Sequence, residues 1–484
     1  MRTLICGNAP SRCSRDSATV SHASFSITAR SISSTTCCSA SRDARLRSSS
    51  NFFRSKNAFP SADDAIFSKI HWHLLPLLIV AYMVAFIDRI NIGFAQLQMK
   101  QTLPFTDAAY GLGAGIFFLG YFLFEVPSNL MLEKIGARKT ILRIMLCWGI
   151  VAALMMFVQT PTQFYVARFL LGVFEAGFFP GIVLYLTYWY PSARRGQMIA
   201  IFMTATTVVA VIAGPLCGGI MKYLEGANGW HGWQWLFLVQ GIPASVLGIV
   251  AFFYLQDKPE QADWLSTDEK QTLRNDIDHD KPLVANAGHA SFWQMLRDPK
   301  VYMLSLVYFF LLGATYTMVF WAPTLIKGWG ISDLFLIGIY AALPNVFGVI
   351  GMVLIGRSSD KRKERRWHFI ACTAIAAIGL LVTTVTQGNF LGSMAGLCFA
   401  VIGIASATPL FFAVTTEYLS KEAAAGGIAL ISSLGNLGAA VSPAVTGAIN
   451  ASTGSPVYSM YLVSALYVLS GILLLVTVRA ARNG

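Results

Sequence analysis

Five ionisable side chains stand inside long apolar stretches: Asp88, Arg89, Glu125, Arg168 and Glu175. Each would cost about 2.5–3.5 kcal/mol at mid-bilayer, so each calls for a reason. A guanidinium offers a planar fork of donors and stays charged, which suits it to holding a carboxylate. Arg89 is the first candidate for anion binding and Arg168 the second. Burial and a neighbouring Arg act on a carboxylate's protonation in opposite senses. Asp88 and Glu175 can therefore gain or lose a proton as their surroundings change, and they are the candidate proton carriers. Arg168 and Glu175 are seven residues apart, on one helix face and about 10.5 Å apart in height, with Gly172 leaving space between them. Asp88 and Arg89 point about 100° apart and need not pair with each other. The competing expectation is a static ion network that braces the helices. For Glu125, beside Pro127, a structural role competes on equal terms.

These residues need apolar helices to hold them, and the composition provides them. Of 484 residues, 55% are hydrophobic and 12% charged, against about 25% charged in a soluble domain. Twelve windows are long enough to cross a bilayer as helix: 72–97, 109–132, 140–159, 162–187, 197–222, 234–255, 300–326, 334–356, 367–387, 390–416, 427–449 and 456–478. The expected fold is an all-α membrane protein. The net charge of +12 does not point to nucleic acid, because the basic residues cluster in alternate short loops. Lys134, Arg138 and Lys139, Arg194 and Arg195, a run from Arg357 to Arg366, and Arg479 and Arg482 lie on one side; the opposite loops are nearly bare. The positive-inside rule then places both termini in the cytoplasm.

The chain also repeats itself. "NLMLEKIGARK" (129–139) and "GRSSDKRKERR" (356–366) are offset by 227 residues, and the same offset carries Leu74 to Val301. Two six-helix halves follow, 70–256 and 299–480, joined by a polar connector, 257–298. In it Ser266 and Glu269 form a capping-box pattern that opens a short surface helix. Duplicated halves with a site between them at mid-membrane are how secondary transporters are built. Carried across the offset, the five intramembrane charges become Thr315, Tyr316, Met352, Ala395 and Ile402. The expected chemistry is confined to the first half.

With "FIDRINIGFA" (86–95), "FEVPSNLMLEKIGARK" (124–139), "RFLLGVFEAGFFPGIVLYLTYWYP" (168–191) and "KPEQADWLSTDEK" (258–270), the chain resembles the major facilitator superfamily. Within it, the anion:cation symporter family is most similar, in the branch of phthalate, tartrate and hydroxyphenylacetate permeases. Asn129 and Glu133 depart from the Gly and Asp usual in the loop motif. The resemblance covers about residues 70–480. It implies import of a small organic carboxylate by proton symport, with the Asp-Arg of the first helix and the Arg…Glu of the fourth in coupling and anchoring. It also implies that Tyr121 and the Asn436 of "SLGNLG" touch substrate.

Thr206, Tyr316 and Thr415 are further candidate substrate contacts, although such residues often only bridge helices. Glu133, Arg138, Lys139, Arg357 and Asp360 form a candidate cytoplasmic gate, or serve topology alone. "GLGAG" (111–115) lacks the strand-helix context of a phosphate loop and reads as helix packing. No ATP motif, metal-ligand spacing or catalytic nucleophile stands out, so neither an enzyme nor a cofactor is expected. The coupling ion is the proton, the partners are the anion and the bilayer, and a monomer in a bacterial inner membrane is expected. The alternatives are an anion exchanger without proton coupling and a non-transporting nutrient sensor. Residues 1–65, Ser- and Arg-rich with few acids, are expected to be a disordered extension. It is either a transit-like peptide or, preferred, the product of a mis-assigned start.

Overall fold

The computed structural model describes residues 62–279, 297–419 and 424–478. The extension, the later part of the connector, and Arg479 and Arg482 lie outside the described residues. Within them the chain is helical, and twelve spans are long and apolar enough to cross a membrane. A helix satisfies its own backbone, which lipid cannot do. The first half contains α1 (Ala62–Thr102), α2 (Asp107–Ile135), α3 (Ala137–Leu154), α4 (Pro161–Glu175), α5 (Phe178–Thr187), α6 (Ser192–Tyr223) and α7 (Gly232–Tyr254). The connector helix is α8 (Thr267–His279). The second half contains α9 (Pro299–Gly328), α10 (Leu334–Arg362), α11 (Arg366–Val385), α12 (Phe390–Tyr418), α13 (Ala424–Thr453) and α14 (Val457–Thr477).

Several helices outrun their apolar windows, α1 by ten residues at its start. Hydropathy sees only the lipid-facing length, whereas solvated turns continue the helix beyond it. Polar side chains fix the starts: Thr106 accepts from the Ala109 amide and Asp333 from the amides of Phe335 and Leu336. The expected capping box is present, with Ser266 and Glu269 exchanging backbone bonds at 2.9 and 3.2 Å. Glu269 also pairs with Lys69 of α1, tying α8 to the bundle.

The fourth span corrects the sequence expectation of a continuous helix over 162–187. It breaks after Glu175 and restarts at Phe178. Pro180 has no N–H for the carbonyl four residues back, and Gly177 takes a φ of 85°, which side chains disfavour. A Cβ at Gly177 would also lie 2.5 Å from Ser128 Oγ.

The two halves meet on the side away from the basic loops. There α2 crosses α13 so closely that a Cβ on Gly111 would lie 2.4 Å from Pro443 O, and one on Gly115 2.1 Å from Ala440 O. The "GLGAG" stretch is thus a packing surface. On the other flank, α6 crosses α10, with Gly214 against Gly338 and Gly218 against Leu334. Lys222 and Asp333 form an ion pair across this second seam. The ammonium's hydrogen bond holds the partly exposed Asp333 carboxyl below the usual carboxylate range. Between the flanks, Gln96 and Tyr110 both reach Phe320 O, at 2.7 and 3.4 Å. Among the described residues, no ion pair or hydrogen bond joins the halves at the basic end. The close crossings and bonds that join the halves among the described residues lie at the end away from the basic loops.

Small residues in this seam therefore allow the close crossing. Gly115→Val should force α2 from α13, raising hydrogen–deuterium exchange at the far ends of both helices relative to wild type. Unchanged exchange would mean that the glycine crossing does not hold that seam together.

Candidate functional site

The intramembrane charges converge where α4 breaks. Arg89, midway along α1, places Nε 2.5 Å from Glu175 Oε1. Glu175 is the last residue of α4, so the guanidinium stands beside the negative end of a half-helix. The Arg89 side chain is 12% exposed and Glu175 fully enclosed. The guanidinium carbon lies 4.9 Å from the Tyr121 ring centroid and 5.8 Å from that of Phe117. Its two terminal nitrogens have no carboxylate or carbonyl acceptor among the described residues. Only Nε meets a carboxylate. Glu175 Oε2 is likewise buried without a donor.

Arg168 shares the Phe117 ring from another side, 4.8 Å from its centroid. It is 1% exposed, its Nε donates to Gly113 O at 3.3 Å, and its Nη2 has no partner. Phe117 thus carries two guanidiniums, whose charge its π-face attracts. Arg168 does not reach Asp88 as an ion pair.

Asp88 is held differently. Oδ2 accepts from Trp148 Nε1 at 2.6 Å and Oδ1 from Asn91 Nδ2 at 2.8 Å. Asn91 also donates to Gln240 Oε1 at 2.6 Å, and Gln240 Nε2 faces Cys217 Sγ at 3.4 Å. This buried chain ties α3, α1, α7 and α6 together. Both Asp88 oxygens are occupied by neutral donors, whereas Glu175 has one free.

The other candidates divide. Tyr121 packs against Arg89. Tyr316, which stands in α9 where the repeat would put Arg89, is half-buried with its ring 4.5 Å from Phe118. Its hydroxyl and that of Tyr82 carry no hydrogen bond among the described residues. Asn436, half-buried in α13, is also unbonded there. Thr206 turns its hydroxyl onto its own helix, at Met203 O. Thr415 corrects the expectation of a substrate contact in this state: it is fully buried and bonded to Phe411 O, because a threonine within a helix readily satisfies itself on the preceding turn. Glu125 is half-buried, one turn from Tyr121.

At the basic end Arg138 braces the first half internally, donating to Phe252 O at 2.7 and 2.9 Å while its amide binds Asp257 at 2.8 Å. Glu133, Lys139, Arg357 and Asp360 are exposed. Asp360 lies 3.6 Å from Arg365, which pairs more closely, at 2.8 Å, with Glu417. None of the five candidate gate residues is paired across the halves among the described residues.

Sequence reasoning overlooked Asn91, Trp148 and Gln240. Listing neutral polar residues within apolar spans, as well as charged ones, would have found Asn91, three residues from Asp88, and Gln240. Trp148 carries no such mark, since tryptophan is common in membrane helices.

The trapped carboxylate yields a stability test. Trp148→Phe removes a donor from a buried acceptor and should cost about 1–3 kcal/mol in thermal unfolding of the purified protein. In an Asp88→Asn background the same change should cost measurably less. Equal losses in both backgrounds would show that the indole–carboxylate bond is not the cause.

A family model described as Major Facilitator Superfamily matches residues 78–443. An Agrobacterium vitis protein named "Putative tartrate transporter" is 46% identical over 420 residues, 87% of this chain and 96% of its own length. "Putative metabolite transport protein NicT" of Pseudomonas putida is 44% identical over 406 residues, covering 84% and 93%. Among solved structures, a bacterial homologue of the human lysosomal transporter Spinster aligns with a TM-score of 0.70 at 19% identity, over 84% of this chain and 96% of that one.

Proposed function

This chain belongs to the Major Facilitator Superfamily and is a multi-pass membrane transporter of a small organic molecule, not an enzyme; from that premise we propose that it imports a small organic carboxylate together with protons. The observation that carries the proposal is the Arg89 fork, of which only Nε meets a carboxylate. A guanidinium whose terminal nitrogens meet no carboxylate, beside an aromatic wall, has the valence left to take a carboxylate bidentately. A hydroxy acid such as tartrate suits it, given the unbonded hydroxyls of Tyr82 and Tyr316 and the names of the relatives.

Coupling follows from competition for one cation. Glu175 and the substrate carboxylate both seek Arg89. A proton on Glu175, taken by the oxygen that now lacks a donor, weakens its hold and frees the guanidinium for substrate. Losing that proton on the other side restores the ion pair and ejects the anion. Asp88, with both oxygens occupied, mainly positions α1, and it titrates only if Trp148 or Asn91 moves. The basic loops are cytoplasmic, by the positive-inside rule. The seam that joins the halves then lies at the outer side, an arrangement that fits a conformation open toward the cytoplasm. The protein acts as a monomer in the plasma membrane of a bacterium.

Uptake of labelled tartrate into proteoliposomes should rise with an inward proton gradient, and Glu175→Gln should abolish that stimulation while leaving counterflow. Asp88→Asn should depress transport as a whole and spare the residual pH response better than Glu175→Gln does. An unaltered proton dependence in Glu175→Gln would reject the coupling. Counterflow in wild type with no proton flux at all would favour anion exchange. In a thermal-shift comparison, a carboxylate that stabilises the wild type should leave Arg89→Ala unmoved.

A further inference from the structure

At the end where the halves meet, one cation lacks a counter-ion among the described residues. Lys327, in the last turn of α9, reaches across to α1, where its Nζ donates to Leu97 O at 3.2 Å. The residue 227 positions earlier is Lys100, in the last turn of α1. Lys100 reaches the opposite way: its Nζ lies 4.8 Å from the Trp321 ring centroid on α9 and 5.5 Å from that of Tyr110, and it pairs with Asp107. The five deeper charges of the first half have no charged counterpart at this offset, yet this lysine is present in both halves. Bonding a lone backbone carbonyl does not require a positive charge, and a part-buried cation near the membrane is costly to keep.

The lysines stand in register with the main site. Lys100 is eleven residues from Arg89, three turns and about 20° of rotation, so both lie on one face of α1, about 16 Å apart. Gln96, seven residues from Arg89, lies between them on that face, its Oε1 without a partner. The barrier is Phe320 O, which takes the Gln96 and Tyr110 bonds and which a Cβ on Gly93 would approach to 3.1 Å. The Phe320 collar therefore separates the lysines from Arg89.

An opening that separates α1 from α9 would take Lys327 from Leu97 O and Lys100 from Trp321, and would leave both ammoniums facing the same gap. Asp107 cancels one of the two charges.

We propose that Lys327, with Lys100, forms a separate carboxylate-docking site at the outer mouth, where an incoming dicarboxylate is held before it passes the Phe320 collar to Arg89. The proposal rests on the carboxylate reading of the cargo, and its test separates the two. Right-side-out proteoliposomes are treated with an impermeant amine reagent with or without tartrate, and modification of Lys327 and Lys100 is read by mass spectrometry. Tartrate should shield Lys327 in wild type and equally in Arg89→Ala, and added salt should remove the shielding. Shielding that needs Arg89, or no shielding at all, overturns the outer site. Shielding without tartrate transport by wild type would leave the docking site standing and reject the proposed cargo. In transport, Lys327→Gln should raise the influx KM about fivefold at low ionic strength, with kcat and efflux KM unchanged, and Lys327→Arg should restore it. A change in kcat, or in both directions alike, would make Lys327 a seam contact and sink the proposal.

Discussion

The ion pair between Arg89 and Glu175 is the constraint around which the first half is arranged. Burying either charge is costly, and their attraction offsets desolvation only if the geometry is good and other bonds help. The break in α4 supplies that help. By ending the helix at Glu175, it brings a carboxylate and the negative end of a half-helix to one point, facing the guanidinium on α1. A continuous fourth helix would carry Glu175 past that point with its backbone fully bonded. Irregular backbone in a membrane is tolerated where it is buried in protein or lines a cavity, as it is here.

The surrounding residues divide the labour. The Phe117 ring serves both Arg89 and Arg168, so two cations coexist without an acid for each. The Trp148–Asp88–Asn91–Gln240 chain fixes the rotation of α1 and hence the direction of Arg89. The second half contributes a mostly uncharged wall, with Tyr316 where its repeat carries Arg89. The charged residues of the site thus sit within one half, against a mostly neutral one. The glycine crossings bring backbones into direct contact across the seam, with no side chain between them.

Much of this was legible in the chain. Hydropathy marks the spans, the 227-residue offset marks the repeat, and the intramembrane charges mark where chemistry is affordable only with partners. Ser266 and Glu269 announce a helix start, and "GLGAG" announces a close crossing. The fourth-span break was legible too, in Gly177 and Pro180, but an apolar window averages over it. The roles of Thr206 and Thr415 were not legible, since a threonine in a helix looks the same whether it faces a cavity or bonds its own backbone.

By itself the sequence determined the class, the twofold plan and the inventory of charges. These depend on the transfer of residues from water to lipid, a local property that short windows report. Tertiary structure decided which charge meets which. Glu175 lies 86 residues from Arg89 and Trp148 lies 60 from Asp88. Such pairings depend on the rotation of each helix about its axis, which packing against several neighbours sets and no single segment encodes.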